Sequence, residues 1–160
     1  MEQNKKYLAV LVDALEKKKD ALQNILQITQ EQAEIAKTDT YQEETMEKTL
    51  NAKEVELSRV NTLDEGFQSV FDRVRSEVKR NQELYKDEIA RLQELIRQCT
   101  ELGNEIMVLE ERNRNQFSTL FAKSKKNYSV SRTKANVAQN YLRTMNNTKI
   151  LDAYFVDKKQ

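Results

Sequence analysis

The side chains of this sequence that could do covalent or acid/base chemistry are one thiol, Cys99, and many carboxylates and amines, with no His among 160 residues. Without imidazole there is no His acid or base, no Cys/His nucleophile pair and no ordinary zinc site. Carboxylates do occur in pairs, as at Glu43-Glu44 and Glu110-Glu111. They lie beside Lys and Arg at three- or four-residue spacing, which is the pattern of a solvated helix face carrying weak ion pairs. Gly-rich phosphate loops, EF-hand loops and metal motifs are all missing. Cys99 falls on a core-like heptad position and reads as a small buried apolar residue. A single Cys forms no internal disulfide, in agreement with a reducing compartment. The expectation is a protein without enzymatic activity, cofactor or small-molecule substrate.

What remains is recognition, and charge and aromatics point to the carboxyl end. Between Lys123 and Gln160 there are nine Lys or Arg against two Asp, in a chain of net charge +1, so the body is acidic and the tail basic. Tyr128, Tyr141, Tyr154 and Phe155 stud this tail. Basic residues with aromatics suit unpaired nucleic acid, where phosphates are neutralised and bases stack. These aromatics, however, keep apolar company in Tyr141-Leu142 and Ala153-Tyr154-Phe155-Val156, which suits a protein groove better. A protein partner is therefore expected, and nucleic acid is not.

The elements that must carry this tail follow from periodicity. With no Pro, two Gly, 38% hydrophobic and 33% charged residues, the chain favours long helices that bury one narrow face. Leu57, Val60, Phe67, Phe71, Val74 and Val78 alternate three- and four-residue steps with one gap at Asp64, defining a stripe. A first helix is expected over about Gln3–Lys37, its seam interrupted by Lys18 and Gln32, which read as devices for register and partner choice. Thr40 and Glu43 have capping-box spacing, so a second helix should start near Tyr41. It should pass through Gly66 without a break, because the stripe keeps its phase, and end near Lys79. The steps Val78, Asn81, Tyr85, Ile89 slip out of phase and predict a turn there.

The third helix carries Tyr85, Ile89, Leu92, Ile96, Cys99, Ile106, Phe117 and Leu120 on its seam, thinned at Gly103, Glu110 and Asn113. Phe117, Leu120 and Phe121 form an apolar island with two readings open, a satellite core or an exposed docking patch. The predicted architecture is all-α: an elongated antiparallel bundle of three long helices over residues 1–126, with a basic carboxyl-terminal helix or tail over 127–160. The tail either packs back as a fourth helix or orders on binding. KKYLAVLV stops at Asp13 without a cleavage site, and no run approaches the roughly 18 apolar residues of a membrane span. A cytoplasmic protein is expected.

The stretch YLAVLVDALEKKKDALQNILQITQEQ, then LSRV shortly before LDEGFQSVFDRV, and the tail ANVAQNYLRTM followed by LDAYFVDKK, resemble the FlgN-type flagellar export chaperones of clostridial type; a FliT-type chaperone would have similar physics. The resemblance implies a cytoplasmic chaperone of bacterial flagellum biogenesis and protein export. Such a protein binds amphipathic helical ends of hook-associated or filament cap proteins, prevents premature assembly and delivers them to the export gate. It puts Tyr141, Leu142 and Met145 in contact with the client. Tyr154, beside Phe155, falls nearest the tail Tyr that family members present to the gate, although the Tyr-Asp-x-x-Gly ending is absent here. Phe117, Leu120 and Phe121 complete the candidate contact set. The alternative is a coiled-coil structural scaffold, dimerising through the stripe from Tyr85 to Leu120.

Overall fold

The computed structural model describes residues 2–38 and 43–124, apart from the side chains of Phe121, Lys123 and Ser124. Three helices fill these residues, α1 (Glu2–Ala36), α2 (Glu43–Arg80) and α3 (Lys86–Ser124). Each is roughly 55 Å long at 1.5 Å per residue. The chain is an all-α bundle, as its periodicity predicts, and no helix among the described residues is long and apolar enough to cross a membrane. Acidic side chains open each helix, at Glu2, Glu43-Glu44 and Asp87-Glu88, and Lys79-Arg80 close α2. Charges so placed complement the helix dipoles.

Side-chain pairings fix the directions. Lys18 meets Asp64 and Gln32 meets Thr49, so α2 descends where α1 ascends. Cys99 lies against Leu15 and Asn113 against Thr29, the same separation of 84 residues in both cases, so α3 runs parallel to α1 and antiparallel to α2. α1 packs directly on both neighbours, whereas no Cα of α2 comes within 8 Å of one in α3 among the described residues. The first helix is thus the central stave, which explains why its buried set is broader than one stripe: Ala21 and Ile35 join Leu8, Leu11, Leu15, Leu22 and Ile25.

Both turns have local causes. After Ala36 the helix tightens, with the Lys37 amide donating to Glu34 and the Thr38 hydroxyl donating 2.7 Å to the Ile35 carbonyl. The Thr40 half of the expected capping box lies outside the described residues. At the other end the phase slip is a true turn, with the Leu84 amide donating to Asn81 and the Tyr85 amide to Gln82 before α3 begins. Tyr85 is fully buried there and plugs the end of the core.

The core comes in three blocks. The largest, next to the α2–α3 turn, joins Leu8, Leu11 and Leu15 to Phe67, Phe71, Val74 and Val78 and to Tyr85, Leu92 and Ile96; Phe67 and Phe71 stack with ring centroids 6.0 Å apart. The middle block holds Leu22, Ile25, Leu57, Val60, Cys99 and Ile106. Among the described residues the distal block holds Ile35, Met46, Leu50, Phe117 and Leu120. Burial pushes the Cys99 thiol up to about 11, consistent with an inert core side chain.

α2 continues unbroken through Gly66, which is exposed and whose added Cβ would meet nothing within 4 Å. A mid-helix Gly costs backbone entropy that Ala does not. Gly66→Ala should therefore stabilise the bundle by about 0.5–1 kcal/mol, seen as a higher urea midpoint at unchanged m-value.

Candidate functional site

Charge inside the bundle is concentrated in two places, each between core blocks. Between the first and middle blocks, Lys18 is only 3% exposed and its ammonium lies 2.8 Å from Asp64 Oδ1. The gap that Asp64 leaves in the stripe of α2 is therefore filled by a partner from α1. Between the middle and distal blocks lies a wider polar band contributed by all three helices: Thr29 and Gln32 from α1, Thr49 and Lys53 from α2, Glu110 and Asn113 from α3.

Lys53 is at the centre of this band, 1% exposed. Its Nζ donates to Glu110 Oε1 and to Gln32 Oε1, so one ammonium ties α2 to both neighbours. Gln32 is held in turn, since its Nε2 donates 3.2 Å to the Thr49 hydroxyl, which itself donates to the Met46 carbonyl. The Thr29 hydroxyl donates 2.7 Å to the Ile25 carbonyl, and Asn113 Nδ2 donates 3.0 Å to the carbonyl of Thr29. Asn113 thereby locks α3 against α1 next to the ionic contact. Burial holds the Lys53 ammonium below its ordinary range, and the nearby Glu110 carboxylate opposes this without reversing it. Desolvation of the charge outweighs its attraction to Glu110, as expected for a buried ion pair.

This arrangement revises two readings of the sequence. Glu110 is not one of a pair of solvated surface acids; Glu111 is exposed, but Glu110 turns inward to Lys53. The thinning of the α3 stripe at Glu110 and Asn113 is the contribution of that helix to a polar layer. Lys53 itself was not singled out by the sequence, although it sits between Leu50 and Leu57 at core spacing. The signal was available, because Lys18, Lys53, Asp64 and Glu110 are four charges on three seams, two of each sign.

Of the residues nominated for partner contact, Phe117 and Leu120 are 1% and 6% exposed and belong to the distal block against Ile35, Met46 and Leu50. Phe117 and Leu120 are thus part of a satellite core, and a partner would reach these two side chains only where the chain's own contacts give way. Phe121 lies in α3, its side chain outside the described residues, as are Tyr141, Leu142, Met145, Tyr154 and Phe155 in full. Among the described residues no group of three or more His, Cys, Asp and Glu is placed to hold a metal ion. Comparison of the chain with protein-family models, curated proteins and solved structures returned no match.

The band sets a clear hierarchy of substitutions. Glu110→Leu removes the carboxylate facing the buried Lys53 charge and should cost about 3–5 kcal/mol, whereas Lys53→Met with Glu110→Leu should be neutral or stabilising by about 1–4 kcal/mol; urea unfolding of the two variants measures both. The pH dependence follows from the lowered Lys53 pKa. The unfolded chain holds this proton up to about pH 10.5 and the folded chain releases it earlier, so stability rises through that window and falls as pH drops back through it. Wild type should therefore gain on Lys53→Met as pH is raised from 7 toward 10.5.

Proposed function

We propose that this chain is a non-catalytic helical binding protein, a cytoplasmic chaperone of the flagellar export kind that holds the amphipathic helical end of a hook-associated or filament cap protein. In this reading residues 1–126 are the scaffold, and Tyr141, Leu142 and Met145 grip the client while Tyr154 and Phe155 serve delivery to the export gate. The observation that carries the reading is where the binding residues meet the scaffold. Phe117 and Leu120 lie in the distal block, at the end of the bundle where α3 reaches Ser124, and apolar side chains of this kind are what a helix-in-groove mode of recognition uses. The uneven charge supports it as well, since a basic segment following an acidic scaffold keeps the two from being interchangeable surfaces.

The scaffold alternative needs the stripe from Tyr85 to Leu120 to be free for a second copy. In this chain that stripe faces inward, with Tyr85, Leu92, Ile96, Cys99, Ile106, Phe117 and Leu120 all buried. Among the described residues the exposed large apolar side chains, Val10, Val55, Leu84 and Val108, are scattered singly and form no seam.

Light scattering should give a concentration-independent monomer; a tight dimer would favour the scaffold. Removal of residues 128–160 should leave the helical circular dichroism of the bundle intact while abolishing binding of a peptide from the amphipathic end of a hook-associated protein. Undiminished peptide binding by the truncated chain would refute the role given to the tail.

A further inference from the structure

We infer that the furrow between α2 and α3, on the side of the bundle opposite α1, is the docking surface for the chain's own residues 127–160. The inference concerns the chain without a partner and does not rest on the chaperone reading.

Helix geometry is the first reason. In a bundle of three helices each packs on both others, whereas in a bundle of four the members across a diagonal stand apart. α1 packs on α2 and on α3, but every Cα of α2 lies more than 8 Å from every Cα of α3. α2 and α3 are thus placed as diagonal neighbours, with α1 at one of the two remaining corners. The side chains of α3 mark the other corner. Cys99 and Asn113 meet α1, and Glu110 turns to Lys53 of α2. One step further round from α1, at heptad spacing, Gln93, Thr100 and Met107 are half-buried, with Gln93 Nε2 and Thr100 Oγ1 shut off from solvent. A flank that faced only water would be exposed, as Arg97, Asn104 and Glu111 are one step beyond.

Charge is the second reason, and it names the occupant. Residues 26–38, 43–56 and 105–122, which form the end of the bundle where α3 stops, hold ten Glu against five Lys or Arg. Residues 2–25, 57–80 and 86–104 hold twelve acids against thirteen bases, so the acid excess sits at that one end. The chain leaves α3 there. Five of its nine bases beyond residue 122 fall within Lys123–Lys134, the first stretch that has to pass the acidic end. Complementary charge of this kind fixes which surface a segment meets and in which direction it runs. The apolar residues Ala138, Leu142 and Met145 follow, where the charge of the bundle is balanced and burial takes over. Length agrees as well, since a helix of 34 residues is about 50 Å long, close to α3.

Pulsed electron-spin distances in the full chain test this. One spin label is placed on Ser69→Cys, an exposed position of α2 between Phe67 and Phe71, and the other on Lys158→Cys. Native Cys99, 2% exposed and with its thiol pushed up to about 11, stays unlabelled. A docked segment brings its end back to the level of Ser69 and should give one narrow distribution centred below about 35 Å. A segment held only at Ser124 starts about 45 Å of helix axis away and adds about 30 Å of coil. The broad distribution near about 55 Å that this produces would leave the surface to a foreign helix and overturn the proposal. A narrow distance between singly labelled chains mixed together would assign the surface to a second copy, and overturn it equally. Adding Lys125→Glu with Lys126→Glu to the labelled pair should broaden the narrow distribution at unchanged helical circular dichroism; an unaltered distribution would refute the part given to charge.

Discussion

One ammonium group constrains this bundle more than any apolar contact does. Lys53 donates to Gln32 on α1 and Glu110 on α3 from a position on α2 that is 1% exposed, and an unpaired charge there would be far costlier than a missing methyl. Any sliding of one helix past another by a single turn, about 5.4 Å, would carry Lys53 away from both acceptors. Apolar seams are tolerant of such slips, since Leu against Leu looks much the same one heptad on. The polar band therefore selects one register out of several that the hydrophobic effect leaves nearly degenerate. Lys18 and Asp64 repeat the device nearer the other end.

Register chosen in this way costs continuity. Among the described residues the two polar layers divide the core into three blocks, of which the one beside the α2–α3 turn is the largest. The end closed by Tyr85 combines a tight turn, stacked Phe67 and Phe71 and a dense aliphatic set. Among the described residues the opposite end holds Ile35, Met46, Leu50, Phe117 and Leu120 beside the buried Lys53–Glu110 pair.

Much of the fold was legible from residue spacing. The stripe from Leu57 to Val78 kept its phase across Asp64 and Gly66, and α2 runs through both, because a helix tolerates an exposed Gly with no neighbour to clash against. The slip at Val78, Asn81 and Tyr85 foretold the turn, since a seam that changes phase can no longer face the same partner. Lys18 and Gln32 were legible as seam polar residues but their partners were not. Glu110 matches two patterns at once, a seam position by its spacing and a solvated face by its neighbour Glu111 and nearby Arg residues, and only a counter-charge on another helix, Lys53, decides for the first. Spacing alone does not decide between core and docking patch for Phe117 and Leu120, since a short apolar island looks the same whether or not another helix reaches it.

The sequence by itself determined that the chain forms long helices, where they break and which face each must bury, because these depend on backbone propensity and periodicity within a single segment. Tertiary structure decided which polar seam residue meets which. It paired Lys18 with Asp64 and Lys53 with Glu110, put α1 between two helices that do not touch backbone to backbone, and closed Phe117 and Leu120 under Ile35, Met46 and Leu50. The physical reason is that burial of a charge is governed by the distance to a counter-charge on another helix. That distance is set by the relative shift of whole helices, to which every residue of the core contributes and which no local stretch of sequence encodes.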